Sequence, residues 1–144
     1  MPKKILLMSN KKESHWCRVV SDALAPIGQV QVVSSRDGVK VCKHLNCDLV
    51  IIDALDVDDA VSLTRKIRTA IPTSKVIIAT DSTTWRRARE AFLAGASDYV
   101  YKTLDEKTLQ KQVKLVLRSK PPPVPEKNNL SGTPENSPGE VNNG

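Results

Sequence analysis

Apolar residues are distributed along the chain in two alternating patterns. Short continuous runs of valine, isoleucine and leucine are typical of strands that are buried on both faces of a parallel sheet. One further run alternates valine with polar residues, as a half-buried edge strand does. The predicted strands, in chain order, cover residues 4–9, 29–34 (the alternating run), 49–53, 75–80 and 97–102.

Between these strands, apolar residues recur every three or four positions, which predicts amphipathic helices. The predicted helices cover residues 15–27, 36–45, 60–71, 84–94 and 104–117. Ser14 is suited to cap the start of the first helix, and Gly28 and Gly95 are suited to follow helix ends. Five strands that alternate with five helices predict an α/β fold, with a parallel sheet and helices on both of its faces.

The composition changes at residue 119. Residues 121–125 are Pro-Pro-Pro-Val-Pro, and the chain continues mainly with Asn, Ser, Gly and Glu to Gly144. Such a segment has too few apolar side chains to bury the surface that folding requires. We therefore predict a domain over residues 1–118 and a disordered tail or linker, rich in Pro, Asn, Ser and Gly, over residues 119–144.

The overall composition, 40% hydrophobic and 26% charged, is typical of a soluble globular protein. No apolar run approaches the roughly 20 residues of a membrane span, and the run near the start is too short for a signal peptide, so we expect a cytoplasmic protein. The odd number of cysteines, Cys17, Cys42 and Cys47, favours buried free thiols over a disulfide framework or a metal site.

The net charge of +6 raises the question of nucleic-acid binding. The basic residues are spread over the chain, and no basic cluster is interleaved with aromatic residues as in a base-stacking surface. Solvated helix faces therefore explain the charge better, and nucleic acid is not an expected partner.

The third predicted strand ends in a lone carboxylate, Asp53, after a run of four apolar residues. In open α/β sheets, ligands bind just beyond the carboxyl ends of the strands. Asp53 therefore lies where such folds usually place their functional groups. An acidic loop with Asp56, Asp58 and Asp59 follows, and its composition is typical of a solvated turn at a helix N-terminus.

Four motifs share a spacing that is typical of one protein family. They are DLVIID ending at Asp53, VIIAT ending at Thr80, AGASDYVYK ending at Lys102, and LDEKTL beginning at Leu104. Through these motifs, residues 3–118 resemble the receiver domain of two-component response regulators, the CheY-like family. The resemblance implies a doubly wound, flavodoxin-like fold with the strand order 2-1-3-4-5.

The resemblance also implies a role for several residues. Asp53 matches the family's phospho-accepting aspartate, a nucleophile that becomes an acyl phosphate. Thr80 and Lys102 match positions that contact the phosphoryl group through a hydroxyl and an ammonium, and Tyr99 matches an aromatic switch position. In the family, an Mg²⁺ ion held by carboxylates and waters neutralises the developing charge.

The chain departs from the family where the first strand ends. The family has two adjacent acidic residues there that hold Mg²⁺, and this chain has Ser9 and Asn10. Two unit charges 4 Å apart interact by about 4 kcal/mol at an effective dielectric of 20, so the loss of both carboxylates should weaken metal binding strongly. We expect no cofactor beyond weak Mg²⁺ binding through Asp53 and Asn10. We also expect Lys102 to rest on Asp53 as an ion pair.

These observations favour an atypical receiver domain that transmits signals by protein–protein interaction, with weak or absent Mg-dependent phosphorylation. The alternative is a functional response regulator that takes phosphate on Asp53 from a histidine kinase. An enzyme or nucleotide binder on the same scaffold is disfavoured, because no Gly-rich phosphate loop follows the first strand. We therefore expect no enzymatic activity.

The predicted interface lies at the start of the fourth helix, where Trp85 stands beside Arg86 and Arg89. An exposed Trp next to arginines is typical of an interface anchor. The expected partners are a signalling protein, an output domain or a second copy of the chain, bound through the face of the fourth helix, fifth strand and fifth helix. A histidine kinase remains an open alternative, and a membrane is not expected.

Overall fold

The computed structural model describes residues 2–54, 57–82 and 84–125, with the backbone alone at residues 57 and 58. Within these residues, five strands and five helices alternate. The elements, in chain order, are β1 (Lys3–Met8), α1 (His15–Leu24), β2 (Gly28–Val33), α2 (Ser35–Leu45), β3 (Leu49–Ala54), α3 (Val57–Ala70), β4 (Lys75–Thr80), α4 (Trp85–Leu93), β5 (Asp98–Tyr101) and α5 (Glu106–Arg118). Every element predicted from the sequence is present, although several ends differ by a few residues.

The strands form one parallel sheet in the order β2-β1-β3-β4-β5, which is the order that the family resemblance implies. Side chains of the central strand β3 alternate between the two faces of this sheet. Val50 and Ile52 pack into one apolar cluster, and Leu49 and Ile51 pack into another. Because β3 is buried on both sides, its sequence is continuously apolar instead of alternating.

Helices cover both faces of the sheet. On one face, α2, α3 and α4 contribute Cys42, Ile67 and Ala91 to the first cluster. On the other face, α1 and α5 contribute Val20 and Val113 to the second cluster. All three cysteines are buried free thiols, as predicted. None of the described helices is long and apolar enough to span a membrane.

Side-chain caps fix the starts of several helices, among them α1 and α4. The Ser14 hydroxyl accepts a hydrogen bond from the Cys17 amide at 3.2 Å, which confirms the cap predicted for α1. The Thr84 hydroxyl accepts one from the Arg87 amide, also at 3.2 Å, at the start of α4. A cap of this kind typically contributes about 1 kcal/mol to stability. The hydroxyl side chains of Ser14 and Thr84 therefore determine where both helices begin.

α5 ends at Arg118, at the boundary predicted between domain and tail. Residues 119–125 continue without helix or strand, and within them the Pro122 carbonyl accepts a hydrogen bond from Arg68 at 2.8 Å. The prediction of a disordered tail does not include such a contact. Residues 126–144 lie outside the described residues, and for them the prediction of disorder stays a prediction.

Gly28 begins β2 at a close approach to β1. A Cβ atom at this position would overlap the backbone carbonyl oxygen of Lys3, its partner in the strand pairing. Gly28→Ala should therefore lower the free energy of unfolding by about 1–3 kcal/mol, because the backbone must shift to remove the overlap. Urea denaturation followed by circular dichroism measures the change. Gln29→Ala, at the next and exposed position, is the control and should stay within about 0.5 kcal/mol of the unsubstituted chain. Equal stability of the two variants would contradict the prediction.

Candidate functional site

The parallel sheet brings four of the predicted site residues to one edge. Ser9 follows β1, Asp53 lies near the end of β3, Thr80 ends β4 and Lys102 follows β5. Asp53 is paired with Ala79 across the sheet, one residue before Thr80. The Lys102 amide donates a hydrogen bond to the Thr80 carbonyl at 2.9 Å. The carboxyl edge of the sheet is therefore the candidate site, as the sequence predicts for this fold.

Both carboxylate oxygens of Asp53 are engaged. The Lys102 ammonium forms an ion pair with Oδ1, as expected from the sequence. The Ser9 hydroxyl donates a hydrogen bond to Oδ2 at 2.6 Å and accepts one from the Lys11 amide at 3.0 Å. The sequence predicts Ser9 only as a replaced metal position. In the structure, its hydroxyl is a direct partner of Asp53.

The ion pair is largely removed from water. The side chain of Lys102 is 13% exposed and that of Asp53 is 4% exposed. A buried charge is costly unless it is paired and hydrogen-bonded, and here each condition is met by a neighbouring side chain. Asp81 is the next carboxylate, with Oδ2 3.8 Å from the Lys102 ammonium, but its side chain is 79% exposed. Water screens that contact, so Asp53 is the principal partner of Lys102.

Asn10, the second residue predicted to stand at a family metal position, uses its side chain elsewhere. Its Oδ1 accepts hydrogen bonds from the amide and the hydroxyl of Ser35, at 3.0 and 3.1 Å. Ser35 is the first residue of α2, and the preceding N-cap residue, Ser34, makes no side-chain cap bond. Asn10 therefore caps α2 in place of the N-cap residue, although it lies 25 residues before Ser35 in the sequence. A metal ion that used this oxygen would compete with that role.

The described residues at this edge fit an Mg²⁺ ion poorly. Mg²⁺ requires octahedral oxygen ligands, usually with one or two carboxylates available. A small cavity of about 80 Å³ lies beside Asp53. Its other polar lining residues are Ser9, Asn10, Ser35 and Asp59. Both Asp53 oxygens already have partners. In the part of the chain that the structure describes, no three His, Cys, Asp or Glu residues are grouped as metal ligands. Asp56 and the side chain of Asp58 lie outside that part.

Thr80 and Tyr99, the predicted hydroxyl and switch positions, converge on the backbone of Ser82. The Thr80 hydroxyl accepts a hydrogen bond from the Ser82 amide at 3.2 Å. The Tyr99 hydroxyl donates one to the Ser82 carbonyl at 3.4 Å. The Tyr99 ring is buried, and burial raises the pKa of its phenol. Together, the two side chains hold the start of the loop that follows β4.

A residue that sequence reasoning did not connect with the site lies against Lys102. The Lys102 ammonium is 5.2 Å from the centre of the Trp16 ring, near the start of α1. A cation over the face of a Trp ring gains about 0.5–1 kcal/mol at exposed sites, and more when it is desolvated. Lys102 is therefore held by the Asp53 carboxylate and by the Trp16 ring.

The predicted interface residues lie on the surface. Trp85 is 81% exposed, and Arg86 and Arg89 are also exposed. Other large apolar side chains are exposed on α4, on β5 and just before α5. They are Phe92, Leu93, Tyr101 and Leu104. α4 contacts β5, so the exposed side chains of these two elements form one continuous surface with both apolar and basic groups.

Comparisons with known proteins agree with this geometry. The sequence model of one family, described as the response regulator receiver domain, matches residues 17–114. No curated protein matches the chain. Among solved structures, HP1043, an orphan response regulator of H. pylori, is 25% identical, with a TM-score of 0.71. The match covers 81% of this chain and 97% of that chain.

Two further solved structures have the same fold. The receiver domain of DrrB from Thermotoga maritima, in a BeF3-activated form, is 26% identical over 83% of this chain and 100% of its own, with a TM-score of 0.67. An atypical orphan response regulator, described as revealing a phosphorylation-independent regulatory mechanism, is 23% identical, with a TM-score of 0.69. That match covers 83% of this chain and 99% of the other. The family match spans more than half of the sequence, and the chain therefore belongs to the family of response regulator receiver domains.

Proposed function

We propose that this receiver domain transmits signals by binding other proteins, and that Mg-dependent phosphorylation of Asp53 is weak or absent. The observation that carries the proposal is the occupied state of the Asp53 carboxylate. One oxygen is paired with the Lys102 ammonium, and the other accepts a hydrogen bond from Ser9. A phosphodonor and its metal would both have to displace partners that are already well placed.

Electrostatics supports the same proposal. An Mg²⁺ ion next to Asp53 would stand close to the Lys102 ammonium, and the two cations would repel each other. In a site with two additional carboxylates, that repulsion would be offset. Here the corresponding residues are Ser9, which is neutral, and Asn10, which is neutral and engaged with Ser35. The proposed resting site is a neutral ion pair, and it has little attraction for a divalent cation.

The alternative function, a phospho-accepting response regulator served by a histidine kinase, also has a specific observation in its favour. Asp53, Thr80 and Lys102 all lie at the carboxyl edge of the sheet, where the family positions them. The orphan regulator described as phosphorylation-independent shares the fold with this chain, and its identity of 23% carries no more than that. Whether Asp53 binds Mg²⁺ and accepts a phosphoryl group is therefore what distinguishes the two functions.

The binding surface that we propose is the face of α4, β5 and the start of α5. The Trp85 side chain is largely exposed, and the neighbouring Arg86 and Arg89 are exposed too. Arg and Trp are enriched among the residues that dominate binding energies at interfaces. The proposed partner is a signalling protein, an output domain or a second copy of this chain. No catalytic role is assigned to any residue.

Restoring the family's acidic pair should restore metal binding. In the unsubstituted chain, Mg²⁺ at millimolar concentrations should leave the Asp53 and Lys102 amide resonances unchanged, and beryllofluoride should give no adduct. The double variant Ser9→Asp/Asn10→Asp should bind Mg²⁺ at least about tenfold more tightly, because two carboxylates then offset the Lys102 charge. Titrations followed by ¹⁵N–¹H correlation spectra measure both effects.

The matched control is Ser9→Ala/Asn10→Ala, which removes the same side chains without adding charge. It should bind Mg²⁺ no more tightly than the unsubstituted chain does. A beryllofluoride adduct on Asp53 in the unsubstituted chain, or saturable Mg²⁺ binding there, would contradict the proposal and support the phospho-accepting alternative.

Replacing Trp85 should weaken binding without weakening the fold. Trp85→Ala should change the free energy of unfolding by no more than about 0.5 kcal/mol, because the side chain is 81% exposed. Association of the chain, with itself or with a captured partner, should fall by about tenfold or more, as for a hot-spot residue. Sedimentation velocity over a concentration series tests self-association. Lys40→Ala, at an exposed position of α2, is the control. An equal effect of the two substitutions on association would argue against this surface.

A further inference from the structure

The chain crosses from one face of the sheet to the other after α5. α5 packs on the face that it shares with α1, and the Leu117 carbonyl near its end accepts a hydrogen bond from the Lys75 ammonium at 2.7 Å. Five residues later, the Pro122 carbonyl lies 2.8 Å from a nitrogen of Arg68. Arg68 belongs to α3, which packs on the opposite face. The residues between these contacts therefore pass around the end of the sheet at which its strands begin.

Arg68 is an unusual residue in this core, because it is charged and only 1% exposed. Burial lowers the pKa of its guanidinium, and no carboxylate among the described residues pairs with it. Its partners are backbone carbonyls. One terminal nitrogen donates to Gly95 at 3.1 Å, and the other donates to Pro72 at 2.9 Å and to Pro122 at 2.8 Å.

These three carbonyls come from separate parts of the chain. Pro72 follows the end of α3, Gly95 lies in the turn between α4 and β5, and Pro122 lies after α5. Gly95 has a φ of +103°, and a Cβ atom there would come within 2.9 Å of the Arg68 Cγ. The α4–β5 turn thus approaches the Arg68 side chain as closely as a residue without a side chain permits.

The backbone of residues 121–125 suits a binding site that only donates hydrogen bonds, as the Arg68 guanidinium does. An arginine side chain has five N–H donors and no acceptor. A proline residue has a backbone carbonyl and no N–H, and extended proline segments make no internal hydrogen bonds. The sequence Pro-Pro-Pro-Val-Pro over residues 121–125 is therefore rich in free acceptors and poor in donors. It supplies one of the three carbonyls that accept hydrogen bonds from the terminal nitrogens of the buried guanidinium, whose Nε has no hydrogen-bond partner among the described residues.

We infer that residues 119–125 form a strap that belongs to the folded domain, docked within the same chain on a carbonyl-binding site made by Arg68. Through the shared guanidinium, the strap is coupled to the Gly95 turn that ends α4, the helix that bears Trp85. Release of the strap removes one of the two acceptors of the same Arg68 nitrogen and loosens the hold on the guanidinium, so docking of the strap and order in the α4–β5 turn favour each other. The inference does not depend on whether Asp53 is phosphorylated.

Two truncated chains test the docking. A chain that ends after Lys120 lacks the Pro122 carbonyl, and a chain that ends after Pro125 keeps it. Amide hydrogen exchange at Gly95 and Ser74, near the Arg68 acceptors, should become about tenfold faster in the shorter chain, the scale of one net hydrogen bond to a charged group. The longer truncated chain should exchange like the full chain. Unchanged exchange in the shorter chain would overturn the inference.

A spin label on the full chain gives a second, independent measurement. Val124 is 40% exposed and all native cysteines are buried, so Val124→Cys can be labelled selectively. If the strap is docked, the label should broaden the amide resonances of Ile71, Thr73, Ser74 and Gly95 most strongly. Arg68→Lys, whose ammonium cannot reach three carbonyls as a planar guanidinium does, should reduce this broadening. Broadening that is strongest at the end of α5 and unaffected by Arg68→Lys would overturn the inference, and if that variant fails to fold, the pattern in the labelled chain alone decides.

Discussion

The burial of the Asp53 carboxylate is the constraint on which the carboxyl edge of the sheet depends. With only 4% of its side chain exposed, it needs a cation and a hydrogen-bond donor in place of water. Lys102 and Ser9 supply these, and each is fixed in turn, Lys102 by the Trp16 ring and Ser9 by the Lys11 amide. Each Asp53 oxygen therefore has a side-chain partner, and a ligand bound to either oxygen would have to share or replace that partner.

Most of the fold follows from periodicity in the sequence. Strands buried on both faces need continuous apolar runs, and amphipathic helices need an apolar residue every three or four positions, so the two kinds of element are easily distinguished. The order of the strands did not follow from periodicity. It came from motifs around Asp53, Thr80 and Lys102, and the sheet has that order. Once parallel strands are arranged in this way, these three residues must meet at one edge, which is why most of the candidate site could be predicted.

The remaining contacts could not be predicted because their chemistry is carried by backbone groups or by side-chain direction. Ser82 holds Thr80 and Tyr99 through its backbone amide and carbonyl. Every residue has the carbonyl and every residue except proline has the N–H, so neither group marks Ser82 in the sequence. The Pro122 carbonyl leaves no sign in the sequence that a buried arginine requires it. The sequence predicts Asn10 only as a position where the family has an acidic residue. Its side-chain oxygen faces the start of α2 because of its rotamer and the geometry of the loop, and the residue type alone encodes neither.

The two tryptophans of the chain occupy contrasting environments. Trp16 is half-buried with an ammonium over its ring, whereas Trp85 is 81% exposed on an outer helix. Indole fluorescence depends on the polarity and the electric field around the ring, so the two residues emit differently and respond to different events. Trp16 should therefore respond to the charge of the Lys102–Asp53 pair, and Trp85 to whether α4 is covered. The unlabelled protein therefore contains one optical probe for its interior chemistry and another for its outer surface, and single-tryptophan variants would separate the two signals.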